Sequence, residues 1–134
     1  MRLWHYKLIP ALPNKMLISQ WRECIAIKRQ WEKGTLKHRL VSYVMNYDKG
    51  YLYNYFLSVA CEMENRKIKK NGKYILEMNK FCNDSCNIYN NYEEHNDRYL
   101  RQCYYNLEEK YDRGIIIFDE WKKIKMAMIG ELFI

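Results

Sequence analysis

The sequence predicts an all-α fold in one compact helical domain, and three observations support it. Glycine and proline are scarce, five and two in 134 residues, and both prolines fall within the first thirteen positions. Apolar residues recur at helical spacing through most of the chain, and no long stretch alternates as a strand would. The length is about that of one domain, and 49% of the residues are apolar, enough for one core. With no repeat and no low-complexity linker, residues 1–134 read as a single domain.

The elements follow in order. Leu3 to Pro13 holds both prolines and reads as extended or irregular. Asn14 is a candidate N-cap for a first helix that runs to Lys33 and stops at Gly34, with a basic last turn that suits the helix dipole. A second segment, His38 to Tyr47, ends at the Asp48-Lys49-Gly50 turn. Leu52, Tyr55, Phe56, Val59 and Met63 mark a helix over Tyr51 to about Lys70, closed by Asn71-Gly72. Tyr74 to Tyr89 is a further helix candidate, followed by a polar link from Asn90 to His95. Asn96 or Asp97 caps a last strong helix to Arg113, and Gly114 stops it. In the tail, Ile115 to Phe118 could form a short strand, but packing against the bundle is the expectation.

The formal charge of +7 favours an anionic partner. No apolar run reaches the ~18–20 residues that span a bilayer, and the opening Met1-Arg2-Leu3-Trp4-His5-Tyr6 lacks the apolar region of a secretory signal. A cytoplasmic chain with no membrane contact is the expectation. Five cysteines, an odd number without an export signal, are expected as thiols. Cys82 and Cys86 form a C-x3-C pair, but no second pair completes a zinc site and His5, His38 and His95 are scattered, so no metal is expected. No phosphate loop, Ser-His-Asp set or zinc-protease motif is present. The cluster Arg66-Lys67-x-Lys69-Lys70 reads either as a phosphate grip or as a solvated helix end. The tyrosines at 51, 53 and 55 and at 104 and 105 read as half-buried core more than as base-stacking platforms.

The first helix is the most informative. On a wheel, Leu17, Trp21, Cys24, Ile25, Lys28 and Trp31 form a core stripe, with Lys28 at its margin. The opposite side collects Lys15, Ser19, Arg22, Glu23, Ala26, Arg29, Gln30 and Lys33. Glu23 is the one carboxylate there, with small Ser19 and Ala26 a turn away on either side, so a ligand could approach it. The competing reading pairs Glu23 with Arg22, Arg29 or Lys33 on a solvated face. Lys15 and Arg29 are candidate phosphate contacts on that basic face.

Three blocks carry a family resemblance: Met1-Arg2-Leu3, then Leu8-Ile9-Pro10-Ala11-Leu12-Pro13, then Leu17-x3-Trp21-Arg22-Glu23. They resemble the N-terminal third of the phage endonuclease V family of pyrimidine-dimer DNA glycosylases and abasic-site lyases. The opening Met1-Arg2-Leu3-Trp4-His5 and the block Trp21-Arg22-Glu23-Cys24 are similar to a bacterial branch of it, and Leu107-Glu108-Glu109-Lys110 resembles a stretch of the family's last long helix. The resemblance implies an endonuclease V-like helical fold and two linked reactions on damaged double-stranded DNA. The damaged base is removed, and the backbone is then cut at the abasic site through a Schiff base between sugar C1′ and the α-amine of the first residue. Arg2 is bulky, so Met1 is expected to remain and to supply that amine. The resemblance gives Glu23 a catalytic role and gives Arg2, Arg22 and Lys110 contacts to DNA. The chain departs from the phage pattern at Met16, Ala26 and Asn106, which stand where the phage enzyme has His, Arg and Arg.

The chemistry fits the residue types. An α-amine titrates near ~7.7–8.0 against ~10.4 for lysine, so its nucleophilic fraction at neutral pH is roughly a hundredfold larger. A carboxylate beside it stabilises a cationic imine and shuttles protons during elimination. The sequence thus points to a monomeric, cofactor-free DNA-repair glycosylase and abasic lyase at the nucleoid. The alternative is a basic, non-catalytic nucleic-acid-binding protein of the same fold.

Overall fold

A computed structural model describes residues 1–83 and 90–132. A 3-10 turn at Tyr6–Ala11 leads into α1 (Asn14–Lys33). A second 3-10 turn at Ser42–Asn46 precedes α2 (Lys49–Asn65), and α3 (Gly72–Cys82), α4 (Asp97–Asp112) and α5 (Phe118–Leu132) follow. The fold is all-α, with no strand among the described residues. α1 packs most extensively on α2, and α3 lies against both. The first 3-10 turn bridges α2 and α5, and α5 also packs on α4. The core is continuous through these helices and includes Leu3, Leu8, Leu17, Ile25, Phe56 and Leu107. Each such side chain contributes about 1.5–3 kcal/mol relative to exposure. Trp21 of α1 stacks on Phe56 of α2 with centroids 4.1 Å apart, which fixes the α1–α2 contact.

Several local expectations are met and several are corrected. α1 ends at Gly34 with φ of 70°, and Thr35 N–H returns to the Gln30 carbonyl at 2.9 Å. Only glycine takes that left-handed position without strain, so the stop was readable. Asn96 caps α4 by accepting from Tyr99 N–H at 3.0 Å. Asn14, by contrast, is the first residue of α1 rather than its cap. Pro13 holds the cap position, and Asn14 Oδ1 instead accepts from Arg66 Nη1 at 2.9 Å. α2 ends at Asn65, earlier than the apolar pattern suggests, because the chain reverses at Lys67, whose φ is 59°. Ile117 and Phe118 form no strand: Phe118 opens α5, and Ile117 N–H is taken by Glu120 Oε1 at 3.1 Å. The helix expected over 74–89 starts earlier, at Gly72, and ends at Cys82, where Asn83 takes a φ of 45°; residues 84–89, with Cys86 of the C-x3-C pair, lie outside the described residues.

The cluster after α2 is turned inward at its first residue. Arg66 donates from Nη1 to the Leu12 carbonyl at 2.6 Å and from Nη2 to the Pro10 carbonyl at 2.9 Å, with Nε on Glu62 at 2.8 Å. A proline-rich turn leaves carbonyls without helical partners, and a guanidinium fork satisfies two of them. Arg66 therefore pins the entry of α1 to α2, and Lys70 is occupied by Glu64.

Candidate active site

The chain start is built into the fold. Leu3, Trp4 and His5 are buried, and three helices hold their backbone. Tyr99 of α4 donates its hydroxyl to the Leu3 carbonyl at 2.5 Å. Tyr55 of α2 donates to the Trp4 carbonyl at 2.6 Å. Gln20 of α1 accepts from Trp4 N–H through Oε1 at 2.7 Å and donates from Nε2 to the Arg2 carbonyl at 2.8 Å. Met1 is thereby delivered to one place on the surface.

That place is a cleft that Met1 lines together with Glu23. Glu23 Oε2 accepts from the Arg2 backbone N–H at 3.3 Å and from Gln20 Nε2 at 3.1 Å. No cation pairs with Glu23 among the described residues, so the expected alternative of a surface pair with Arg22, Arg29 or Lys33 does not form. Glu23 sits at the junction of two adjoining clefts. The larger, about 290 Å³, is lined by Met1, Arg2 and Trp4 from the chain start, by Glu23 and Leu40, and by Asn106, Glu109, Lys110 and Arg113. The smaller, about 200 Å³, has Trp4, Met16, Ser19, Gln20, Glu23 and Lys110 around it. Glu23, Trp4 and Lys110 are common to both. A partly exposed carboxylate held by N–H dipoles, in a cleft also lined by the chain start and Lys110, can stabilise a cation and move a proton.

Residues 1–76, more than half of the chain, match the sequence profile of the family described as pyrimidine dimer DNA glycosylase. The chain belongs to that family. Membership carries DNA glycosylase function in general terms and DNA as the class of substrate. No curated protein and no solved structure matches the chain. The matched span of this glycosylase family includes the chain start, α1 and Tyr55, whereas Lys110 lies beyond it. Among the described residues no helix is long and apolar enough to cross a membrane.

The other site candidates divide. Arg2 and Lys110 line the cleft with Met1 and Glu23. The Arg2 guanidinium also lies over the Trp4 ring, 5.4 Å from its centroid. Arg22 and Lys15 are exposed on α1, outside the cleft lining. Arg29 is brought elsewhere: its Nε and Nη2 hold Glu77 of α3 at 2.7 and 2.9 Å, and its guanidinium lies 5.7 Å from the Tyr74 ring. Lys28 joins the same carboxylate at 2.9 Å and pairs with Glu32 at 2.6 Å. Burial alone would lower the Lys28 pKa, but the hydrogen bonds to Glu32 and Glu77 outweigh it and raise it.

Two parts of the site were missed by reading the residues. Gln20 is 1% exposed and central, yet the core stripe drawn from apolar positions omits it. The signal was available, because Gln20 stands at helical spacing between Leu17 and Cys24 and three residues before Glu23. The second is a buried aromatic layer behind the chain start. His5 stacks on Tyr6, at 4.5 Å, and on His95, at 5.5 Å. Tyr6 and His95 lie 6.4 Å apart, and His95 Nε2 meets the Tyr43 hydroxyl at 2.7 Å. Burial holds His5 down to about 4 and His95 down to about 3, so both are neutral supports. Burial likewise raises Tyr55 and Tyr99, keeping their hydroxyls as donors to the chain start. Cys24 and Cys103 are buried thiols, also raised by burial, with none of the thiolate character of a nucleophile.

Proposed function

We propose that the chain is a DNA glycosylase and abasic-site lyase whose nucleophile is the α-amine of Met1 and whose acid-base group is Glu23. The observation that carries this reading is the hydrogen bond from the Arg2 nitrogen to Glu23 Oε2 at 3.3 Å. The Met1 amine is one residue away along the backbone, about 3–4 Å from that nitrogen by covalent geometry, so rotation about Met1 brings it to the carboxylate. In the reaction the amine attacks C1′ of the damaged nucleotide, and the base departs with its bonding pair and the proton that the amine gives up. The sugar ring then opens: the C1′–O4′ bond breaks, and O4′ keeps the pair and takes a proton from the Glu23 carboxyl. The nitrogen lone pair completes a cationic imine that sits against the Glu23 carboxylate. Loss of a C2′ proton then expels the 3′ phosphate, and water releases the sugar from the amine. Arg2 and Lys110 supply positive charge for the flanking phosphates, with Arg22 and Lys15 on the exposed side of α1 as outer contacts. A nucleotide reaches C1′ attack only when extruded from the stack, and the cleft beside Trp4 accepts an extruded sugar.

The geometry also favours a second starting point for the same chemistry. Removal of Met1 would make the nitrogen already on Glu23 the free amine. The deciding experiment is borohydride trapping of the untagged protein on a duplex with one abasic site, followed by mass mapping of the adduct. An adduct on the N-terminal residue that disappears when the α-amine is blocked is expected, and its mass tells Met1 from Arg2. Salt-sensitive binding without any adduct would overturn the lyase reading in favour of a non-catalytic nucleic-acid binder.

A further inference from the structure

The hydrogen bonds of Gln20 divide between architecture and the reacting carboxylate. Trp4 N–H can only donate, so the atom facing it must be Gln20 Oε1, and Nε2 then faces two groups that can only accept, Glu23 Oε2 and the Arg2 carbonyl. The single Tyr55 hydroxyl proton lies between the Trp4 carbonyl, at 2.6 Å, and Gln20 Oε1, at 2.8 Å, so the orientation is set by Trp4 N–H and the Arg2 carbonyl. Both N–H donors of this buried amide are therefore used, its oxygen accepts from Trp4 N–H, and it has one orientation. Burying an amide is costly unless its bonds are made. Leucine or methionine would fill the stripe at lower cost but would leave Trp4 N–H and the Arg2 carbonyl unpaired. Architecture alone does not explain the bond to Glu23, a half-exposed carboxylate that water could serve. The effect of that bond is to tie Oε2, while Oε1 accepts no hydrogen bond among the described residues.

We propose that Gln20 is a positioning residue for the cleft reaction: its amide locks Glu23 and the backbone of residue 2 in one register and leaves Glu23 Oε1 for the substrate. The proposal rests on the lyase reading above. Its mechanism is geometric. One side chain holds both the carboxylate and the strand that carries the amine, so the two reacting groups keep a fixed separation before DNA arrives.

The test is Gln20→Glu, measured as single-turnover cleavage of an abasic-site duplex against pH, with DNA affinity in parallel. Ionised, the introduced carboxylate keeps the acceptor for Trp4 N–H and loses both donors. Protonated, it regains one. The charged groups facing this point are Glu23 on α1, the Met1 amine and Arg2 from the chain start, Glu109 and Lys110 from α4, and Arg113 just after it. They are common to both proteins, so the rate ratio of variant to wild type isolates position 20. The expected ratio is about a tenth to a hundredth near about pH 8.5, rising toward about pH 6, with affinity within about twofold. A pH-independent ratio, or a loss lying wholly in DNA affinity, would overturn the positioning role. If Gln20→Glu fails to fold, Tyr55→Phe removes the hydroxyl that lies against both the Gln20 amide oxygen and the Trp4 carbonyl, loosening the same register. A rate about three- to tenfold lower is then expected, and a wild-type rate overturns the proposal. Wild-type protein that forms no adduct removes the lyase reading and this role with it, whereas active wild type with an equally active Gln20→Glu removes this role alone.

Discussion

Glu23 and Glu77 both lie against α1, and they are held in opposite ways. Glu77 takes a two-pronged bond from Arg29 and a third from Lys28. Those partners, the Arg29 hydrogen bond first, hold its carboxyl down to about 2 against burial. Glu23 takes two N–H dipoles, from Arg2 and Gln20, and no cation among the described residues. The difference separates a carboxylate that serves the fold from one that can serve a substrate. A carboxylate already neutralised by two cations adds little to an incoming positive charge. One fixed by neutral donors keeps its charge for the imine that forms beside it.

Glutamine replacements break the comparison most sharply. Glu23→Gln should lower single-turnover abasic-site cleavage by about 10²–10³-fold while leaving the melting temperature nearly unchanged. Glu77→Gln should do the reverse, with cleavage within about twofold. After allowance for solvent screening of the half-exposed pair, it should cost about 1 kcal/mol, a fall of a few degrees in melting temperature. Equal losses of activity in the two variants would erase the distinction between them.

Acid sharpens it next. His5 and His95 have folded-state pKa values below the unfolded value of ~6.5, so the unfolded chain binds more protons in that interval. Stability from the neutral pair is complete above about pH 6.5. It drains as pH falls toward 4, by about 1.4 kcal/mol per unit for each histidine. Glu77 contributes only lower, its stabilisation being lost as pH falls from ~4.3 through about 2. Urea unfolding at about pH 7, 5.5 and 4.5 should therefore show the midpoint falling well before Glu77 titrates. His95→Gln should flatten that fall, and an unchanged slope would remove the histidine layer as its cause.

The smallest effect contrasts two basic residues. Lys110→Ala should weaken DNA binding a few-fold and reduce the salt slope by about one counterion. Arg29→Ala should leave the slope as it is and lower stability, because its guanidinium is committed to Glu77 and Tyr74. A slope change for Arg29 would mean that the ion pair opens when DNA binds.

What the sequence by itself determined is local. A 3.6-residue apolar period, scarce glycine and proline, Gly34 as a stop and Asn96 as a cap act within a few residues, so the all-α class and the course of α1 and α4 were legible. Glu23 was legible as a carboxylate with room around it, and the blocks around it carried the family. Tertiary structure alone decided what each polar group meets. Glu23 bonds a nitrogen 21 residues away, Arg29 a carboxylate 48 away and Tyr99 a carbonyl 96 away. Helical periodicity says which face a side chain occupies and nothing about the partner packed there. Gln20 shows the reason most plainly: polar on the wheel, it is buried because the backbone of residues 2–4, forced inside by Leu3 and Trp4, brought a donor and an acceptor that one amide could pair.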